Sequence, residues 1–457
     1  MVGVSHDSSA TESLTVTSSR AAARTEGDDA VTILRWVTPG LTHVTPLLGE
    51  SVILGREGPG GARLERPRVS RKHAELRPGR TGFVVRDLDS KNGVFVNAVR
   101  TRETCLVAGD VLRVGDCVAI VEEVPAAGLA GPSDLGHQIF GGWALRKRVD
   151  EARRIANTPL NVVLQGETGT GKERFARAIH AHSGRPGRFV AVNSAAYSEA
   201  TMVGELFGYR KGAFTGADRA SVGHVRAAHG GNLFLDEILE LPPELQSKLL
   251  RVIEERAVLP LGETEPSPCD VRFIAATQRP LAEAVAAGAF RADLRSRLEG
   301  VVLELPPLRE RRGDIVPLFL TLLERHGALP IPELEPELVE RLSVYFWPMN
   351  VRELENVARR LLALHPGTAV LELEHVAAWL PLDSQREPRS ASPAPRATAS
   401  LVPERSTACL YSADEMLALR SALARHQGNL TRAAAELGIT RPKAYRMLRS
   451  DQRAREK

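Results

Sequence analysis

Gly166-Glu-Thr-Gly-Thr-Gly-Lys172 spaces its glycines so that successive backbone N–H groups can turn inward on one anion, with a lysine closing the turn. The run Asn161–Gln165 precedes it and a helix-forming stretch follows from Glu173. Strand, glycine-rich loop and helix in that order make a P-loop. Gly166, Glu167, Thr168, Gly169, Thr170 and Gly171 offer N–H groups to phosphate oxygens, the helix N-terminus adds its dipole, and Lys172 brings a point charge to the β- and γ-phosphates. A second constellation is Leu233-Phe-Leu-Asp236-Glu237, an apolar strand ending in two carboxylates. Asp236 suits a magnesium ion at a strand tip, and Glu237 suits polarising an attacking water. Alone, such a pair is solvated charge at a turn; with the P-loop it reads as a site that hydrolyses ATP with Mg2+. Glu173 stands where P-loops commonly carry Ser or Thr on magnesium, so the metal must rely on Asp236 and water.

Such groups need a parallel sheet to hold them. The runs Val162-Val-Leu, Phe189-Val-Ala-Val, Leu233-Phe-Leu, Val271-Arg-Phe-Ile and Val301-Val-Leu are apolar almost throughout, as strands covered on both faces should be. Helical stretches alternate with them, which predicts an α/β domain with a helical lid. Ahead of it lie short β-type runs (Ser51-Val-Ile-Leu, Gly82-Phe-Val-Val, Val118-Ala-Ile-Val) separated by Gly, Pro and Asp turns, which predict an all-β sandwich. The end of the chain is helical and basic. The expected order is a disordered segment 1–29, sandwich 30–124, linker 125–136, α/β subdomain 137–306, helical lid 307–382, disordered linker 383–410 and an all-α domain 411–457. A formal charge of only +4 over 457 residues excludes a wholly basic nucleic-acid glove, so DNA binding must be local. Cys105, Cys117, Cys269 and Cys409 are too scattered for a metal knuckle and too few for a disulfide framework. No apolar run nears the ~20 residues that span a bilayer. Nothing resembles a secretory signal, so a cytoplasmic protein is expected.

The region from about Gln138 to Leu380 resembles the AAA+ domain of sigma-54-dependent activators, the bacterial enhancer-binding proteins. Its most specific mark is Gly212-Ala213-Phe214-Thr215-Gly216-Ala217, preceded by Glu205-Leu-Phe-Gly208. In that family this loop touches sigma-54, a role the resemblance gives chiefly to Phe214 and Thr215. It further implies that Asn193 is a switch contacting the catalytic glutamate according to nucleotide state. Arg291 and Arg297 would act in trans on a neighbour's γ-phosphate, and Arg352 would report nucleotide from the lid. Glu in place of Ser or Thr after the P-loop lysine is common there. Fingers acting in trans imply a ring, and the family suggests a hexamer. Gln278 departs from the usual sensor Asn and Met349 from the usual Gly. A working ATPase is still expected, with Gln278 the departure able to slow it, because its amide sits one methylene further out.

The first domain resembles a forkhead-associated (FHA) domain through Gly55-Arg56, Val69-Ser70-Arg71-Lys72-His73 and Asp87 to Gly93. Arg56, Ser70, Arg71 and Asn92 match that family's phosphothreonine pocket, while His73 and Gly93 read as structural. A guanidinium, a hydroxyl and an amide satisfy phosphate oxygens that Asp or Glu could not mimic. The C-terminal block resembles a Fis-type helix-turn-helix. Thr440 N-caps the second helix, and Thr440, Arg441, Lys443, Ala444 and Arg446 are placed for DNA. The resulting expectation is an ATP-driven activator of sigma-54 RNA polymerase holoenzyme, bound at upstream DNA. A threonine-phosphorylated partner, or a phosphorylated segment of the chain itself such as 11–19, would control it. A competing reading is a phosphopeptide- and DNA-binding adaptor whose ring senses nucleotide and hydrolyses weakly.

Overall fold

A computed structural model describes residues 30–41, 43–79, 82–197, 199–214 and 217–381. The segment 1–29, loop residues Thr215 and Gly216, the linker 383–410 and the domain 411–457 with Thr440, Arg441, Lys443, Ala444 and Arg446 lie outside the described residues.

The first block is an antiparallel β-sandwich. One sheet runs in the order β2 (Val44–Pro46), β1 (Val31–Trp36), β10 (Cys117–Val124), β9 (Val111–Val114), β6 (Val94–Val96), β7 (Val99–Thr101). The other runs β3 (Val52–Leu54), β4 (Ala74–Gly79), β5 (Gly82–Asp87), β8 (Glu103–Leu106). Leu34, Leu54, Leu76, Val85, Leu112, Ala119 and Val121 fill the space between them. The stretch expected as a linker, 125–136, has structure of its own: a 3-10 turn at Ala126–Leu129 and strand β11 (Ser133–Asp134), which pairs with β12 (Phe140–Gly141). Arg35 of the sandwich donates to the Gly128 and Leu129 carbonyls, so the turn is held rather than free.

In the second block all five expected runs are strands of one parallel sheet, in the order β14 (Phe189–Asn193), β15 (Asn232–Asp236), β18 (Arg272–Thr277), β13 (Val162–Gln165), β19 (Val301–Glu304). A small antiparallel ladder, β16 (Ala257–Val258) with β17 (Ser267–Pro268), stands apart from it. Alternation along the central strands feeds two cores. Val162, Leu164, Phe234, Ile274 and Ala276 pack with Leu145 and Val149 of helix α1 (Trp143–Ala156) and Phe175 and Ile179 of α2 (Lys172–Ala181). Val163, Leu233, Leu235, Phe273 and Ala275 pack on the other face. Their neighbours there include α3 (Glu199–Phe207), α4 (His224–Ala227), α5 (Pro243–Glu255), α6 (Leu281–Ala286) and α7 (Ala292–Leu298).

The lid is α8 (Ile315–Arg325), α9 (Pro336–Val344) and α10 (Asn350–Leu364), with a short parallel pair, β20 (Glu333–Leu334) and β21 (Val370–Leu371). Its core holds Leu318, Phe319, Leu322, Leu338, Leu342, Trp347, Leu354 and Leu361. Four sandwich residues, Val37, Val111, Val118 and Ile120, belong to that same core.

Candidate functional site

Strand β13 ends at Gln165, and the loop 166–171 turns directly into α2. Gly169 has φ +77°, and a Cβ there would run into the Met349 carbonyl at the head of α10. Only glycine permits that approach. Lys172 Nζ donates to the Gly166 carbonyl at 2.7 Å and the Glu167 carbonyl at 3.2 Å. Burial pulls its ammonium below the usual lysine range, and the facing carboxylates of Glu237 and Asp236 oppose that shift. Thr170 is buried and donates to the Glu167 carbonyl at 2.8 Å. Thr168, Gly171, Glu173, Asp236, Glu237 and Arg352 line the same cavity, and Gln138, Ile139 and Val351 also line it.

Asp236 sits at the tip of β15, where burial raises its carboxyl, Lys172 lowers it and Glu237 raises it further. Its Oδ1 accepts the Glu237 N–H at 3.1 Å. Glu237 holds φ +53°, a left-handed turn that brings its side chain back to the sheet edge. There Oε1 accepts the Gln278 amide at 2.9 Å. The Gln278 amide, expected one methylene further out than the usual Asn, lies within hydrogen-bond reach of Glu237. Asn193, at the end of the neighbouring strand, turns its Oδ1 to the Ala195 N–H at 2.9 Å, so in this structure Gln278, and not Asn193, is on the glutamate. Glu173 is ion-paired to Arg177 one turn on, at 2.7 Å.

Sequence reasoning missed what the side chain of Glu167 does. It accepts both terminal nitrogens of Arg309 at 2.5 and 2.6 Å and the Asn350 amide at 3.1 Å. The Arg309 guanidinium holds its carboxyl below the usual range, with burial opposing and Asn350 assisting. Asn350 is fully buried; it donates to the Thr168 carbonyl at 3.0 Å and accepts the Leu308 N–H at 2.7 Å. The Val351 N–H reaches the Gly169 carbonyl at 3.0 Å. The P-loop is thereby clasped to the head of α10, one residue from Arg352.

Arg291 and Arg297 do not line this cavity. Arg291 forks onto Asp293 at 2.7 and 3.0 Å and touches Ser247, and Arg297 meets Glu254 at 3.0 Å, all on exposed surface. In the loop expected to reach sigma-54, the Gly212 N–H donates to the Ala217 carbonyl at 2.9 Å and Ala213 to Arg210. Ala217 is buried, while Phe214 stays half exposed with its ring edge-on to Tyr209.

The sandwich gathers its own set at one end. The Arg56 N–H donates to the Ser70 carbonyl, Lys91 N–H to Ser70 Oγ at 3.2 Å, and Asn92 Nδ2 to the Arg68 carbonyl at 2.6 Å. Arg56 and Arg71 are exposed beside them. Buried His73 accepts the Ser70 N–H on Nδ1 and meets the Gly93 carbonyl through Nε2, tying the two loops together. Burial lowers its pKa against the Gly93 hydrogen bond, and an Nδ1 that accepts an N–H leaves the ring neutral.

Residues 140–304 match the model of the sigma-54 interaction domain, 309–393 an AAA+ ATPase lid domain, 52–115 the FHA domain, and 415–447 the bacterial regulatory protein, Fis family. The transcriptional regulatory protein ZraR of Klebsiella oxytoca is 42% identical over 327 residues, covering 70% of this chain and 69% of its own. The sigma54-dependent transcriptional activator SfnR of Pseudomonas putida is 46% identical over 250 residues, covering 53% of this chain and 68% of its own. Among solved structures, NtrX from Brucella abortus in complex with ATP aligns over 68% of this chain and 69% of that one, at 32% identity and a TM-score of 0.48.

Proposed function

The chain belongs to the sigma-54-dependent transcriptional regulators, and from that premise we infer how its residues share the work. The protein is an ATPase and transcription activator that engages sigma-54 and DNA. In our reading, ATP lies in the cavity between P-loop and lid, with its phosphates on the N–H groups of residues 166–171 and on Lys172. The observation that carries this is the convergence of Lys172, Asp236, Glu237 and Arg352 on one cavity. Glu237, held by Gln278, orients a water towards the γ-phosphate and takes its proton.

The carboxylates fit Mg2+. Among the described residues no cluster of three acidic, imidazole or thiol ligands forms a cage, while a half-buried strand-tip carboxylate beside the phosphates suits an ion that keeps most of its waters. Bound there, the ion would neutralise charge between β- and γ-oxygens. Arg291 and Arg297 face outward and serve the γ-phosphate of a neighbouring protomer, which makes the working form a ring, in our reading a hexamer. Nucleotide state then moves Asn193 and the 212–217 loop, whose Phe214 and Thr215 press on sigma-54 at the promoter.

Arg56, Ser70, Arg71 and Asn92 read a phosphothreonine, on a partner or on a segment such as 11–19. Thr440, Arg441, Lys443, Ala444 and Arg446 hold upstream DNA. Those partners place the work in the cytoplasm, and among the described residues no helix is long and apolar enough to cross a membrane.

Two variants test the core of this reading. Glu237→Gln should lower ATP turnover by about a hundredfold or more, the loss of a positioned base. Thr215→Ala should retain much of the turnover yet form no open promoter complex with sigma-54 holoenzyme. Unchanged turnover in Glu237→Gln would favour a nucleotide-sensing adaptor, and promoter opening by Thr215→Ala would separate the loop from the mechanism.

A further inference from the structure

Strand β9 is buried on both faces, which a free sandwich would not require. Leu112 and Val114 point into the sandwich core, while Val111 and Arg113 point the other way, onto the lid. On β10, Cys117, Ala119 and Val121 likewise face inward, and Val118 and Ile120 join the lid core.

In the middle of that contact lies a charge cluster. Arg113 Nε meets Glu340 Oε2 at 2.7 Å, with the two side chains only 9% and 5% exposed. Arg113 Nη1 reaches Glu337 Oε1 at 3.2 Å, and Glu340 Oε1 accepts the Ala98 N–H at 3.1 Å. The guanidinium also lies 3.8 Å over the Phe95 ring. Burial pushes the Glu340 carboxyl up, and Arg113 and the Ala98 N–H hold it down. A buried ion pair is tolerated only when hydrogen bonds offset its desolvation, as those to Glu340 do here, and removing one member leaves the other charge poorly compensated.

The cluster has an arm at each site. Arg68, two residues before Ser70, extends Nη1 to Glu337 Oε1 at 3.7 Å, while its carbonyl holds Asn92 of the phosphothreonine set. At the far edge, Glu122, paired with Arg35 at 2.7 Å, packs against Gly313, and Arg312 donates to the Gly109 carbonyl. That turn carries Arg311, whose side chain lines the nucleotide cavity, and Asp314, which accepts the Gly142 N–H.

We propose that the sandwich is docked on α9 of the lid through Arg113, Glu340 and Glu337, and that this docking links the occupancy of the phosphothreonine pocket to ATP affinity. A lid that reorients with nucleotide must carry the sandwich with it or break this cluster. Arg68 and Asn92 then differ between the two lid positions, and so does the affinity for a phosphorylated ligand. Linkage makes the effect reciprocal. The docking stands on its own contacts; the pocket half rests on the phosphothreonine reading above.

The test uses the full chain carrying Arg113→Met, Glu340→Met or both. Either single change should raise hydrogen exchange together in 111–120 and 336–344 by about tenfold or more, because each takes a partner from a charge that stays buried. It should also shift the KM for ATP by about threefold or more, the size of a modest coupling. The double variant leaves no unpaired charge at the buried centre, only the partly exposed Glu337 with Arg68 still 3.7 Å away, and should return both readouts to within about twofold of the parent. Unchanged exchange in the singles overturns the docking, and raised exchange with unchanged KM overturns the link to nucleotide. For the pocket, beads bearing a degenerate phosphothreonine peptide library should retain the parent chain, with affinity altered about threefold by ATPγS, and should not retain Arg56→Ala. Retention lost in Arg56→Ala yet indifferent to ATPγS overturns the linkage alone. No retention of the parent chain overturns the phosphothreonine reading and the pocket half with it.

Discussion

The Glu167 carboxylate sits inside a phosphate-binding loop yet spends its acceptors on Arg309 and Asn350, which belong to the junction and the lid. It is therefore a positioning residue: it sets where α10, and with it Arg352, stands against the cavity. Glu167→Gln keeps the size and one acceptor oxygen but loses the charge-assisted fork. The side chain is about a third exposed, so solvent screening leaves the loss at about 1 kcal/mol, roughly fivefold in KM for ATP, with kcat at saturation changed less. Steady-state kinetics at varied ATP decides this, and a KM equal to the parent's would leave the clasp without a role in binding. The phosphate loop itself was legible because backbone geometry demands glycine and lysine at fixed spacing. The clasp was not, because its members lie 142 and 183 residues apart and each alone looks like a solvated or capping group. Glu237 was readable from its strand, but its partner was not. Only the fold shows that Gln278 is long enough to reach it.

At the scale of elements, the five central strands could be read because burial on both faces leaves an unbroken apolar run, a pattern independent of what lies beyond the sheet. The outer face of the sandwich could not. In Val111-Leu-Arg-Val114 the arginine reads as the mark of a solvent face, and so disguises a face that the lid covers. The same disguise made 125–136 look like a linker, since Ala, Gly and Pro say nothing of the carbonyls that Arg35 occupies. The covered face has a measurable consequence on β10. Cys117 lies on the inner face of that strand, where burial and the adjacent Asp116 push its thiol up to about 12 and keep it protonated, while Cys105 on β8 is exposed. Ile120, 1% exposed, is one of the residues by which β10 meets the lid. Ile120→Ala should cost about 2 kcal/mol of local stability and speed alkylation of Cys117 roughly thirtyfold through local opening. Cys269, in the α/β domain, should react as before. Peptide-resolved mass spectrometry of iodoacetamide labelling follows each thiol separately. Were this face open to solvent, the same change would fall within about 0.5 kcal/mol and Cys117 labelling would scarcely move.

Over the whole described body, sandwich, α/β domain and lid meet at Asp314. Its Oδ1 accepts the Gly142 N–H at 2.7 Å, Arg311 stands 3.6 Å from Oδ2, and Arg35 and Glu122 of the sandwich act on it electrostatically. Burial lifts its carboxyl to about 6, against the pull of Arg311 and the Gly142 N–H. The sign follows from linkage. A carboxyl whose folded pKa exceeds its unfolded value near 4 binds a proton more readily in the native state, so it adds stability at low pH and loses it as pH rises through the folded pKa. Glu340, also raised, acts in the same direction. Buried neutral His73, whose pKa is lowered, acts in the opposite one. Comparing variants isolates the aspartate from these. Between pH 7 and pH 5 the parent should gain about 1 kcal/mol from Asp314 that Asp314→Asn does not gain. The asparagine should be less stable at every pH, because it leaves Arg311 buried without its carboxylate, but that offset leaves the pH-dependent difference intact. The slowest exchanging amides of α8, corrected for intrinsic exchange at each pH, report this difference where whole-chain melting would blur several domains. If Asp314→Asn tightens on acidification as much as the parent does, the proton is taken up elsewhere and the three-way junction is not the seat of the pH response.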